Sequence, residues 1–252
     1  MKSDSLLKID MVSGVRKNLL YKLTDGPMSL TEIREYFNVT SSNVIPRIKD
    51  LVKMDLVVKE DGRYVLTSTG MILSKKLRTM DSLAEIIGKG GKFLNEHDLS
   101  PIVGYPLDSI DELGDCQVIS NGVKDMAETH DLIYKNLSRS KFVLGISPAF
   151  NSAYPEIYQN MAAQGIPVSL IVTEQVFKKL EADPAGLLEP YLRHDNAKLY
   201  VVENVRMALV VTSDFLSMYL YKKNGAIDAM NSLMSFEESA TKWGIELFEE
   251  YK

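Results

Sequence analysis

Apolar residues recur at helical spacing three times in the first part of the chain. Val15, Leu19, Leu20 and Leu23 form one stripe, with Ser13 placed to cap the helix and Asp25-Gly26-Pro27 to stop it. Leu30, Ile33 and Phe37 form a second. Ser29-Leu30-Thr31-Glu32 opens it as a capping box, in which the Ser and Glu side chains satisfy each other's free N–H groups. Asn38 follows, where a tight turn needs a residue tolerant of positive φ. The third stripe is Val44, Ile45, Ile48, Leu51 and Val52, on a helix from about Ser41 to Met54. It leaves Asn43, Pro46, Arg47, Asp50 and Lys53 on the opposite face. A proline there is tolerated only near the first turn or at a bend. Two β-rich runs from Leu56 to Leu66 then flank Asp61-Gly62, the dipeptide of a type I′ hairpin. Thr67-Ser68-Thr69-Gly70 leads into a further helix through about Met80. This order predicts a winged helix-turn-helix.

From Met71 to Leu99 the pattern is again helical, with a break expected at Gly88-Lys89-Gly90-Gly91. Its apolar set (Ile72, Leu73, Leu77, Met80, Leu83, Ile86, Ile87, Leu94) either packs on its own domain or forms the two-fold seam of a dimer. Ser100-Pro101-Ile102-Val103-Gly104-Tyr105-Pro106 marks a boundary rich in turn residues. Beyond it strands and helices alternate. Strands are expected at Gln117–Ser120, Phe142–Ser147, Val168–Thr173, Leu199–Glu203, Met207–Thr212 and Phe215–Tyr221. Helices are expected at Asp125–Leu137, Pro155–Gln164, Gln175–Leu180, Ala185–His194 and Phe236–Glu250. That alternation predicts an α/β domain with a mixed sheet. The expected division is 1–70 winged helix, 71–99 helical connector and 100–252 α/β sensor or regulatory domain.

Charge changes the picture by splitting it. Residues 1–80 hold 14 Lys/Arg against 9 Asp/Glu, whereas residues 81–252 hold 15 against 25. A basic first part joined to an acidic remainder implies that only the first meets a polyanion. A single cysteine, Cys116, excludes an internal disulfide framework and a Cys-rich zinc site. His97, His130 and His194 show no paired ligand spacing, so neither metal nor cofactor is expected. No apolar run reaches the ~18 residues of a membrane span. A cytoplasmic protein with no membrane partner is expected.

The stretch Thr24–Ile33, with Asn38-Val39-Thr40 and Asp50–Val57, resembles the ArsR/MarR-type winged helix. Tyr64-Val65-Leu66-Thr67-Ser68-Thr69-Gly70 resembles the Tyr-x-Leu-Thr-x-x-Gly that ends their wings. Lys141–Pro148, Gln164–Val172 and Trp243–Tyr251 are similar to archaeal transcriptional regulators of the methanogenesis-regulatory family. The second domain also resembles one half of a phospholipase-D-like fold, as in TrmB-type sugar-responsive regulators. Together the resemblances cover nearly the whole chain. They imply a transcriptional regulator whose partner is double-stranded DNA.

Groove geometry assigns the candidate DNA-binding residues. A major groove ~12 Å wide admits one helix, whose outward side chains reach base edges. Asn43 pairs with adenine and Arg47 with guanine. Ser41 and Ser42 suit phosphate at the helix start, and Lys49 and Lys53 are further phosphate contacts. Lys59 and Arg63 flank the wing tip. Asp50, unfavourable near phosphate, is expected to pair with Lys53 or Arg47. A homodimer supplies two half-sites. The rival reading is a winged-helix adaptor for protein contacts.

The acidic domain is expected to be non-catalytic. Phospholipase-D chemistry needs His-x-Lys followed by Asp, and the corresponding stretch, Asn204 to Asp214, has neither His nor Lys. Gly88-Lys89-Gly90-Gly91 lacks phosphate-loop spacing. A degenerate phosphodiesterase is the alternative. A small polar effector is expected at the strand ends, with sugar, metabolic anion or no ligand at all left open by the sequence, and candidates Ser147, Asn151, Thr173, Glu174, Glu203 and Asn204. Tyr154 and Tyr158 supply an aromatic wall or ordinary packing. The expected bistable element is the connector, hinged at its glycine break.

Overall fold

The sequence folds in two units, divided between Asp81 and Ser82, in a computed structural model that describes residues 14–120, 136–137 and 139–252. The expected cap at Ser13 and nearly all of the helix expected over Asp125–Leu137 lie outside the described residues.

The first unit follows its local signals closely. Helices α1 (Gly14–Leu23), α2 (Leu30–Phe37) and α3 (Ser41–Lys53) enclose a core of Leu19, Leu20, Leu23, Ile33, Val44, Ile48 and Leu51. Both capping-box bonds form: Ser29 N–H donates to the Glu32 carboxylate at 2.6 Å, and Glu32 N–H to Ser29 Oγ at 3.3 Å. Asn38 ends α2 in the left-handed region at φ 49°. A three-stranded sheet follows in the order β1 (Met28–Ser29), β3 (Arg63–Leu66), β2 (Val57–Glu60). Between β2 and β3, Asp61 and Gly62 both have positive φ, 46° and 82°, as a type I′ turn requires.

Helix α4 (Ser68–Glu96) begins in this unit and ends in the next. Its first half is tied to α1 by Asp81, which accepts from Lys17 Nζ and Tyr21 Oη, both at 2.8 Å. The expected break at Gly88–Gly91 is absent: the helix runs through unbroken. Each interior glycine costs up to ~1 kcal/mol in backbone entropy. Here Ile86 and Phe93, buried in the second core on either side of the glycines, hold the helix together. The glycine hinge is therefore not formed.

The second unit is built on a seven-stranded sheet, ordered β4 (Gln117–Ser120), β10 (Asn231–Ser235), β9 (Leu216–Leu220), β8 (Met207–Thr212), β5 (Val143–Ser147), β6 (Val168–Thr173), β7 (Ala197–Val202). β5, β6 and β7 are parallel and the other pairs antiparallel. One face is covered by α9 (Glu238–Glu249) and the end of α4, around Trp243, Leu247, Phe248 and Phe93. The other face packs against α6 (Tyr154–Ala163) and α8 (Leu188–Leu192), with α7 (Glu174–Glu181) following β6 and a single helical turn, α5 (Tyr105–Asp108), preceding β4.

At the end of α4, His97 is buried with both ring nitrogens facing oxygen acceptors, Nδ1 the Phe93 carbonyl at 2.6 Å and Nε2 the Asp228 carboxylate at 3.2 Å. Burial works to raise the Asp228 carboxyl. Hydrogen bonds from the Asn231 side chain, Met230 N–H and Lys222 outweigh it and hold the group below its ordinary value of 3.8. A depressed carboxyl stabilises the fold above its unfolded pKa, and that contribution is lost as pH falls through the folded value. Asp228→Asn is therefore expected to weaken the second unit by about 1 kcal/mol at neutral pH, since charged acceptors make the stronger bonds. As pH falls through the folded value, below 3.8, the difference from the wild type should vanish. Equal urea midpoints at pH 7 would contradict this.

Candidate functional site

The outward face of α3 is where the sequence placed DNA recognition. The buried stripe of Val44, Ile48 and Leu51 turns Ser42, Asn43, Lys49 and Lys53 to solvent, with Ser41 and Arg47 half-buried. Pro46 lies inside the helix and on this exposed face. No side chain caps the start of α3, because the Thr40 hydroxyl bonds Ser42 Oγ at 2.9 Å instead. The first amides, with the positive end of the helix dipole behind them, are thus open to an anion. Arg47 folds back to donate to the Asn43 carbonyl, which puts the two base-reading candidates in contact.

Two charges take partners the sequence did not indicate. Asp50 pairs with Arg16 of α1 at 2.5 Å, not with Lys53 or Arg47. That pairing offsets the one acidic charge on the face. Arg63 turns away from the wing tip, donating to the Pro27 carbonyl at 2.8 Å and to Glu32 at 2.8 and 2.9 Å. Hydrogen bonds from Ser29, backbone first, and then from Arg63 hold the Glu32 carboxyl at about 2. Arg63 therefore braces the capping box. Lys59, exposed on β2 with its ammonium 5.6 Å from the Tyr64 ring, is left as the cation of the β2–β3 hairpin, whose tip carries Glu60 and Asp61.

In the second unit the expected effector residues separate. Ser147 and Asn151 line a cavity of about 130 Å³ together with Tyr154 and Tyr158, whose rings stack at 5.8 Å. Ser147 Oγ donates to the Ala149 carbonyl at 2.8 Å, and Asn151 Oδ1 accepts from Ala153 N–H at 3.0 Å. Thr173 is used as the cap of α7, its hydroxyl accepting from Val176 N–H at 3.3 Å. Glu174, Glu203 and Asn204 are exposed and do not line the cavity. The cavity lies on the face of the sheet, under α6, α7 and α8, and reaches the carboxyl end of β5 at Ser147. Burial pushes the Tyr158 hydroxyl up, and the Tyr154 hydroxyl to about 12, so both stay protonated. Sequence reasoning missed Gly145, Leu170, Leu199 and Ser217 in its wall. Only Gly145 carried a signal, since a glycine inside an apolar strand marks a close approach.

Cys116 is buried, and burial pushes its thiol up, away from reactive thiolate. Among the described residues no three metal-ligating side chains cluster, and no helix is long and apolar enough to cross a membrane.

A capped three-helix unit with a hairpin wing, followed by a mixed-sheet α/β unit, defines the class: a winged helix-turn-helix protein with an appended α/β domain. Models of the methanogenesis regulatory protein FilR1 match both parts, the N-terminal domain over residues 5–85 and the middle domain over residues 126–252. The chain belongs to the FilR1 methanogenesis regulatory family. FilR1 of Methanothrix harundinacea (strain 6Ac) is 26% identical, over 97% of this chain and 56% of its own length. The chain thus spans about half the length of that relative. Among solved structures, TrmBL2, an archaeal chromatin protein, is similar over 98% of this chain and 95% of its own, with a TM-score of 0.43 and 13% identity. The transcriptional repressor BigR from Xylella fastidiosa is similar over 32% of this chain and 85% of its own, with a TM-score of 0.29 and 22% identity.

Proposed function

We propose that this chain is a sequence-specific, double-stranded-DNA-binding transcriptional regulator. It acts in the cytoplasm as a homodimer, with a non-catalytic α/β domain that responds to a small molecule. The observation that carries the reading is the α3 face. An uncapped helix start, Asn43 and Arg47 adjacent, Lys49 and Lys53 outward and Asp50 paired with Arg16 combine phosphate anchoring with base reading. Membership of a regulatory-protein family supports it. The dimer reading is supported by the part of α4 in the first unit, where Ile72 and Met80 are 64 and 54% exposed. At 100° per residue these lie about 80° apart.

Footprinting on the DNA upstream of the protein's own gene, at two salt concentrations, tests the proposal. Expected is a protected site whose affinity falls steeply with salt. No protected site on any genomic fragment would leave the protein-contact reading instead. Arg47→Ala should cost about 1–3 kcal/mol and relax preference at one base position. Lys59→Ala should weaken binding to all sequences alike and flatten the salt slope. Arg63→Ala, because that side chain braces Glu32, should leave the salt slope unchanged. An Arg47→Ala protein with unaltered affinity and preference would show that another face reads the bases.

A further inference from the structure

We infer that the cavity of the α/β unit is a binding site for a neutral, single-ring aromatic molecule carrying one hydroxyl group, held by the Ser217 hydroxyl. The inference deepens the effector reading above and rests on it only for what binding would regulate.

The site follows from the register of the sheet. Leu199 pairs with Leu170, Leu170 with Gly145, Gly145 with Val210 and Val210 with Ser217. Paired residues on neighbouring strands project to the same face, so one row crosses five strands beneath α6 and α8. At the middle of the row Gly145 has no side chain. A Cβ there would stand 2.9 Å from Leu170 Cδ2 and 3.6 Å from the Tyr158 hydroxyl oxygen. Gly145 thus lets the Leu170 side chain and the Tyr158 hydroxyl close down on the sheet at the cavity wall.

The chemistry of the wall selects the ligand. No lysine, arginine, histidine, aspartate or glutamate lines the cavity among the described residues. An anion would lose its hydration there with nothing to replace it, a cost of several kcal/mol. A sugar would fare little better, because Ser147 Oγ and Asn151 Oδ1 already have partners and, Ser217 and the tyrosines apart, the rest of the wall is apolar. The sugar or metabolic anion expected from the strand ends is therefore not what this cavity suits.

Among the fully buried side-chain atoms of the wall, Ser217 Oγ is the one without a partner. Ser217 is 1% exposed, lines the cavity, and its Oγ has no hydrogen-bond partner. An unpaired buried hydroxyl carries a desolvation penalty, and a hydroxyl both donates and accepts. A ligand hydroxyl would complete it. The volume sets the size: 130 Å³ is close to the ~150 Å³ at which an apolar cavity takes up a benzene ring. Stacked Tyr154 and Tyr158 supply aromatic surface on one side.

Calorimetric titration of the full chain, without DNA, with p-cresol and with toluene tests the site. Expected is saturable binding of one p-cresol per chain, tighter than toluene. Ser217→Ala replaces an unpaired hydroxyl with a methyl and should fold at least as well as the wild type. It should bind p-cresol about five- to tenfold more weakly while binding toluene as before. Ala208→Leu, which extends a side chain into the cavity from β8, should abolish both. Absence of saturable p-cresol binding to the wild type overturns the site. So does an Ala208→Leu protein that folds and still binds, and an unchanged p-cresol-to-toluene ratio in Ser217→Ala overturns the role of Ser217. None of these results bears on the footprint, which needs no added ligand, so failure here and failure of the DNA reading are separable.

Discussion

Replacing Gly70 by alanine is expected to unfold the winged-helix unit while leaving the α/β unit intact. Gly70 lies on the first turn of α4, where a Cβ would stand 2.0 Å from the Leu56 carbonyl oxygen and 2.9 Å from its carbon. The obstacle is backbone, so no side-chain rotation relieves it. The same turn is pinned by three hydrogen bonds. Thr67 N–H donates to the Leu56 carbonyl at 3.0 Å, Thr67 Oγ1 donates to the Asp55 carbonyl at 2.6 Å, and Gly70 N–H donates to Thr67 Oγ1 at 3.0 Å. Moving α4, with Thr67 at its start, away far enough to admit a methyl group breaks the two bonds to Leu56 and Asp55. Overpacking at ~1–3 kcal/mol, with about 1 kcal/mol for each of the two lost bonds, brings the cost to ~3–5 kcal/mol. That is a large share of what a unit of this size holds, roughly 4–12 kcal/mol at about 0.05–0.15 kcal/mol per residue. Circular dichroism should lose helix and the footprint should vanish. The emission of Trp243, the chain's single tryptophan, should stay as in the wild type because it reports on the second unit. Thr67→Val, which removes two of the bonds and keeps the shape, should cost about 1–3 kcal/mol. A Gly70→Ala protein that melts with the wild type would refute the close approach.

Trp243→Ala should have the largest effect in the second unit. Its side chain is fully buried at the centre of the core between α9 and the sheet, and its indole N–H donates to the Pro106 carbonyl at 2.6 Å. Truncation leaves a cavity and an orphaned carbonyl, together worth ~3–5 kcal/mol. Trp243→Phe separates the two terms: it keeps most of the volume, loses only the donor, and should cost about 1–3 kcal/mol. Urea unfolding followed by circular dichroism measures both. A loss under about 1 kcal/mol for the alanine variant would mean the side chain does not organise this core.

The legible parts of the fold were those set by neighbours in sequence. The capping box, the left-handed Asn38 and the Asp61-Gly62 turn involve residues at most three apart, so each could be read from the chain and each formed. The Tyr-x-Leu-Thr-x-x-Gly pattern was legible too, but its reason was not, because the Leu56 carbonyl that demands a glycine arrives from another element.

Tertiary structure decided the rest. Local propensity predicted a break at Gly88–Gly91, and the buried contacts of Ile86 and Phe93 overrode it. Strand β10, Asn-Ser-Leu-Met-Ser, has little strand character by itself and went unpredicted; it forms because β4 and β9 pair with it on both edges. Arg16 found Asp50 across 34 positions and Arg63 found Glu32 across 31, beyond the reach of any spacing rule. The cavity is the furthest from the sequence. Gly145 and Ser217 belong to one site only because β5, β8 and β9 align in one register. A sequence states which side chains exist and which local turns they favour, whereas register and long-range pairing are settled by burying the most apolar surface while leaving few buried polar groups without partners.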